Sequence, residues 1–117
     1  MIPDTSFWHE MGQLIKANAI VIDRPKGFPH PCYPEFIYPL DYGYLENTTA
    51  GDGDGIDVWM GSLASKTLTG ILCTFDKIKR DAEIKLLIGC SHEDIHIIRQ
   101  FHNEMLTLFI PNPLETQ

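Results

Sequence analysis

Apolar positions fall at helical spacing in two segments and form strand-like runs in five others. Residues 4–17, DTSFWHEMGQLIKA, set Phe7, Met11, Leu14 and Ile15 at intervals of three and four, with Asp4 or Thr5 to cap the start. AIVID at 19–23 reads as a short strand, and IDVWMGS from Ile56 as another. TGILCTFD (69–76) and EIKLLIG (83–89) are two more, and KIKRDA between them favours an antiparallel hairpin. Ser91 and Asp94 have capping-box spacing, with Asp in place of Glu. They open a predicted helix to about Met105, with Ile95, Ile98, Phe101 (or His102) and Met105 on one stripe. LTLFI closes the chain as the fifth strand, and PNPLETQ reads as a tail. Between the first two strands, RPKGFPHPCYPEFIYP carries five prolines from Pro25 to Pro39. Proline removes a ladder donor, so an irregular strap is expected there, packed through its aromatic residues. The pattern predicts one α+β domain over 1–117: a twisted, barrel-like sheet of five strands packed by two helices. There is no βαβ alternation and no GxxxxGK[ST] phosphate loop.

Composition narrows the partners. The 117 residues are 44% apolar and 21% charged, enough for one core. A net charge of −7 argues against nucleic acid, which needs a basic face. An anionic substrate then requires metal ions to reverse the local field. Cys32, Cys73 and Cys90 have no CxxC spacing and are odd in number, which fits reduced thiols in a cytoplasmic protein. Cys73 and Cys90 suit small buried positions. No run approaches membrane-spanning length, so no membrane association is expected. MIPDTSFWHE lacks the pattern of a signal peptide.

Three clusters carry candidate chemistry. Asp52, Asp54 and Asp57 crowd a loop spaced by Gly51, Gly53 and Gly55. Two carboxylates about 4 Å apart repel by roughly 4 kcal/mol at an effective dielectric of about 20. The loop is therefore either a solvated turn, for which Asp and Gly are suited, or a cation site. It is not an EF-hand, since Asp57 and Leu63 stand at the positions that need Gly and Glu. In extended backbone Asp52 and Asp54 would face one side about 7 Å apart. Converging hard oxygens suit Mg²⁺ or Mn²⁺ rather than zinc. The second cluster is Asp76, Asp81, Glu83 and Lys85 on the predicted hairpin. Glu83 and Lys85 share one face, and Ile84, Leu86 and Ile88 take the other. That face is either ordinary solvated sheet or a further supply of ligands and one cation. The third, His92-Glu93-x-x-His96, has the HExxH form of zinc peptidases, with His102 where a longer pattern has its third histidine. Arg99 stands where that pattern breaks the helix with glycine, and His102 falls about 240° around from His96. Surface histidines on a capped helix are the simpler account. His9 and His30 receive no role, and Trp8 and Trp59 are assigned to the core.

YPLDYGYLENTTAGDGDGIDV, residues 38–58, resembles the signature of soluble Mg²⁺-dependent inorganic pyrophosphatases: a YPxNYGY segment, then a DxDPxD-type loop ten residues past its tyrosine. IVIDRPKG resembles the early strand of that family, and GILCTFD with EIKLLI resembles its GVL…D…DxK strand pair. The resemblance spans roughly residues 19–90. It implies an OB-like five-stranded barrel with helices outside. It also implies metal binding by Asp52 and Asp57, with Asp57 bridging two ions, and Asp54 as general base toward water. Tyr42 would orient the phosphate or water network. Asp76 and Glu83 would be further metal ligands, with Asp81 competing for the place of Glu83. Lys85 would touch phosphate, Asp23 would stand at an early metal-binding acid, and Lys26 near the entrance. Four departures accompany these matches. Gly55 replaces the loop proline, and Cys32 aligns best with a phosphate-binding lysine. Tyr38 follows Tyr33 by only five positions, too few for the hairpin that carries a phosphate-binding arginine. No Tyr-Lys pair occurs near Phe101–Met105. The metal side looks kept and the cationic clamp thinned.

The leading expectation is divalent-metal-dependent hydrolysis of inorganic pyrophosphate or a related phosphoanhydride, by a homo-oligomer. The alternatives are a catalytically impaired relative that binds metal or a partner, and a zinc peptidase using residues 92–96.

Overall fold

A computed structural model describes residues 4–115. The elements run α1 (Ser6–Ala17), β1 (Ile20–Arg24), β2 (Asp41–Leu45), β3 (Ile56–Met60), β4 (Leu68–Asp76), β5 (Asp81–Ile88), α2 (His92–Phe101) and β6 (Leu106–Pro111). The architecture is the expected α+β one with two helices, but six strands form one open sheet in the order β1-β2-β3-β5-β4-β6. The strand beyond the expected five is β2. Its DYGYL places Gly43 where an alternating strand would show an apolar side chain. A Cβ at Gly43 would fall on the Val21 carbonyl, so the close approach of β1 to β2 requires glycine.

Every neighbouring pair is antiparallel except β3 and β5, which run parallel with Asp57 beside Lys85 and Trp59 beside Leu87. β4 and β5 form the expected hairpin, turning through Lys77–Arg80. Side chains alternate across the sheet and build two cores. On one face Leu45, Val58, Leu86 and Ile88 pack with Trp8 and Met11 of α1. On the other, Trp59, Leu72 and Leu87 pack with Ile95 and Ile98 of α2 and with Tyr38 and Leu40. The buried stripe of α1 is Trp8 and Met11, with Ile15 partly buried, while Phe7 and Leu14 are 40% and 38% exposed. Adjacent aromatic and aliphatic pairs made two stripes equally apolar in sequence, and the sheet selects one.

The strap from 25 to 40 is held by His30 N–H to Phe36 O and Tyr38 N–H to Phe28 O, both across a Pro29–Ile37 bridge. Tyr38 is buried, whereas Phe28, Tyr33 and Ile37 stay exposed, so the strap packs by only part of its apolar content. The capping box of α2 is present, and the same Asp94 carboxylate accepts both the N–H and the hydroxyl of Ser62. The start of the expected tail is anchored instead: Asn112 is buried, donates to Leu68 O and binds Thr69 O through its N–H. The last two residues lie outside the described range.

Candidate active site

Sheet parity decides which charged groups meet. Tyr42 pairs with Trp59, Asp57 with Lys85, and Glu83 lies two residues from Lys85, so all four polar groups share the α2 face. At their centre Lys85, 5% exposed, donates to Tyr42 Oη at 2.9 Å and to Asp57 Oδ2 at 3.0 Å. Burial and then the Asp57 charge push the Tyr42 phenol far above its ordinary range, so it stays protonated. Burial also raises Glu83, and the negative charges of Asp57, Asp52 and Asp81 add to that against the pull of Lys85. One ammonium thus serves several carboxylates.

Two clefts meet at this centre. The first, about 700 Å³, is lined by Asp23, Arg24, Tyr42, Asp54 and Asp57, with His30 and Tyr38 on its wall. The second, about 530 Å³, is lined by Asp76, Lys79 and Lys85 together with Tyr33, Phe36 and Phe101, and it shares His30, Tyr38 and Tyr42 with the first. Behind this wall Trp59 donates its indole N–H to His102 Nε2 at 3.2 Å. Burial, reinforced by the Lys85 charge, pushes the His102 imidazole down to about 3.

The structure separates some residues that sequence spacing had joined. Asp52 and Asp54 do not face one cavity. The loop is a tight turn, with Gly53 at φ +91°, Ala50 N–H bound to Asp54 O, and the Asp54 N–H bound to Asp52 Oδ1. Asp52 consequently lines a third depression with Asp81 and Glu83, while Asp54 faces the first cleft with Asp57 and Asp23. Asp76 accepts the N–H groups of Ile78 and Lys79, which hold its carboxyl below the ordinary range and tie it into the hairpin turn. Lys26 is exposed, binds Asp41 through its backbone N–H and lines neither of the two clefts. Among the described residues no three acidic, histidine or cysteine side chains close around one point. The donor chemistry nonetheless suits a hard divalent cation: carboxylate oxygens dominate, and Glu83 is raised first by burial and then by the charges of its acidic neighbours.

The zinc-peptidase arrangement is not assembled. His92 opens α2, both His92 and His96 are exposed, and His102 is turned inward to Trp59. Tyr38, His30, Arg24 and Lys79 line the clefts without having been singled out. Only Tyr38 had a signal, four residues before Tyr42 in the quoted motif. All three cysteines are free, and burial pushes the Cys90 thiol up to about 12. No helix among the described residues is long and apolar enough to cross a membrane.

Comparison with known proteins supports the same motifs. The family model for inorganic pyrophosphatase matches residues 13–84. An inorganic pyrophosphatase of Xylella fastidiosa (strain 9a5c) is 33% identical over 95 residues, covering 68% of this chain and 50% of the relative. One from Geobacillus stearothermophilus is 32% identical over 88 residues, covering 66% and 52%. One from Xanthomonas axonopodis pv. citri (strain 306) is 31% identical over 108 residues, covering 80% and 57%. The chain spans about half the length of the curated relatives it matches.

Proposed function

The chain belongs to the inorganic pyrophosphatase family, and from that premise we propose that it hydrolyses pyrophosphate to phosphate with Mg²⁺ or Mn²⁺. The observation that carries the reading is the buried Lys85 ammonium between Tyr42 and Asp57, where the two clefts meet. Lys85 and the Tyr42 hydroxyl bind phosphate oxygens there and set the orientation of the anhydride. Asp54, on the loop facing the same cleft, accepts the proton of the attacking water. Asp57, Asp52 and Glu83 would hold metal, with Asp23, Asp76 and Asp81 as further candidate ligands. Divalent cations held there supply positive charge to the phosphate oxygens and acidify water. Lys26, which lines neither cleft, has no part in this reading. A homo-oligomer is compatible with the exposed face of β6, where Leu106, Leu108 and Ile110 project side by side.

Phosphate release from pyrophosphate with Mg²⁺ tests the reading. Asp54→Asn should lower kcat by about 10²-fold or more without changing the melting temperature by more than a few degrees, as for a removed general base. Full activity in that variant would exclude Asp54 as the base. No release by the wild-type chain would refute the proposed function.

A further inference from the structure

Inorganic pyrophosphate has no apolar surface, yet the second cleft is lined by Tyr33, Phe36, Tyr38, Tyr42 and Phe101. In the second cleft Tyr33 and Phe36 lie with ring centres 6.1 Å apart, and Phe36 and Phe101 6.2 Å apart. Tyr33 is 53% exposed, so an aromatic face stands open to an incoming group. The same cleft carries buried Lys85 and the hairpin-turn Lys79 together with Asp76, and exposed Glu35 and Glu104. A ligand suited to these groups carries negative charge for the lysines and a flat ring with hydrogen-bond donors for the aromatic side chains and the exposed carboxylates. The junction also offers a ring donor. His30 Nδ1 accepts the N–H groups of Cys32 (3.0 Å) and Tyr33 (3.3 Å), which leaves Nε2 as the donor of the ring. The ring stacks on Tyr38 at 11° and 6.1 Å, and it lines both clefts. A volume of about 530 Å³ suits a small organic ligand.

We propose that this cleft takes the organic end of a phosphoanhydride, a purine nucleoside diphosphate being the simplest case. The ring lies against Tyr33 and Phe36, its amino group meets the exposed carboxylates, and its phosphates point to Lys85 and His30. The inference rests on the phosphoanhydride-hydrolase reading and names a substrate class for the same centre. In the reaction a water oxygen bonds to the terminal phosphorus as the bridging P–O bond breaks. The electron pair of that bond leaves on the nucleoside monophosphate, and the water proton passes to Asp54. Inorganic phosphate and the monophosphate are the products.

The test compares ADP with pyrophosphate as substrates in Mg²⁺, for the wild type, Tyr33→Ala and Tyr33→Phe. Tyr33→Ala should lower the ratio of kcat/KM for ADP to that for pyrophosphate by about tenfold, the scale of one lost stacking contact. The loss should appear in the KM for ADP, and Tyr33→Phe should restore the ratio. Pyrophosphate turnover with no ADP turnover, or a ratio unmoved by Tyr33→Ala, overturns the inference and leaves the pyrophosphatase reading standing. Should neither compound be hydrolysed, that reading fails, and ADP titration followed by tryptophan fluorescence decides the cleft. Saturable ADP binding weakened by Tyr33→Ala sustains it as a binding site, and no binding overturns it.

Discussion

Replacing Lys85 with methionine tests whether one ammonium stands in for a cation at the sheet face. Its Nζ lies 3.0 Å from Asp57 Oδ2, a gross attraction of about 5 kcal/mol at an effective dielectric of about 20. The Lys85 side chain is 6% exposed, but that of Asp57 is 25% exposed, so water recovers part of the loss when the partner is removed. A net cost of about 2 kcal/mol remains, including the bond to Tyr42 Oη. For a chain of 117 residues that corresponds to a fall of about 8 °C in Tm. The sign of the metal effect is the sharper outcome. Lys85→Met frees Asp57 from a competing cation, so Mg²⁺ should raise the Tm of the variant more than that of the wild type and narrow the gap. Thermal melts in EDTA and in 10 mM-scale Mg²⁺ measure both differences, with a saturating ligand expected to contribute about 3 kcal/mol. An equal deficit with and without Mg²⁺ would refute the assignment of Asp57 to metal. No deficit in EDTA would refute the worth of the pair itself.

Burial holds His102 neutral down to about pH 3, whereas in the unfolded chain it gains a proton below about pH 6.5. Protons then favour the unfolded state, and stability falls as pH drops through the window from about 6.5 to 3. His102→Gln, which keeps an acceptor for the Trp59 indole, should lose less stability than the wild type between pH 7 and 4, by on the order of 2–3 kcal/mol in urea melts; parallel losses would contradict it. Asn112→Ala removes a buried donor to Leu68 O and an acceptor for the Leu114 N–H, and should cost about 1–3 kcal/mol by the same melts. Gly43→Ala drives a methyl group into the Val21 carbonyl and should lower stability by about 3 kcal/mol or more, read as loss of cooperative unfolding or of soluble yield.

Local chemistry was legible wherever neighbours in sequence make the contact. The β4–β5 alternation and the Ser91–Asp94 box need only a few residues to be read, and both stand as expected. The parity of Glu83 and Lys85 against Ile84 and Leu86 follows from a strand's period of two, and it correctly set which groups share a face. The parallel contact of β3 with β5 was not legible, because it joins Asp57 to a lysine 28 residues away and passes over the intervening strand β4. Lys85 was thus legible as a cation but not as the immediate partner of Asp57. The divergence of Asp52 from Asp54 depends on the positive φ of Gly53, which glycine permits but does not announce. His102 sat at zincin spacing, and only the packing of α2 on Trp59 turned it inward.

The placement of the acidic groups follows from which backbone carries them. Asp57, Glu83 and Lys85 lie on strands whose mutual register is fixed by ladder bonds on both sides, so their spacing changes little. Asp52 and Asp54 lie on a loop whose base is pinned by the Thr48 hydroxyl, which donates to Leu45 O and accepts the Ile56 N–H. Beyond that pin the loop is held by its own turn bonds, Ala50 to Asp54 and Gly53 to Ala50, with Asp52 and Asp54 exposed. Repulsion among like charges is lowest with the loop carboxylates apart and one of the strand carboxylates paired to Lys85, which is the arrangement present. Divalent charge would reverse that preference, and the cheaper response is to turn the loop about Thr48 and Ile56, since moving a strand would break the ladder. Gly53, at φ +91°, lets the turn hold Asp52 and Asp54 on different sides, whereas Gly55 is required by the close approach of the Tyr44 side chain.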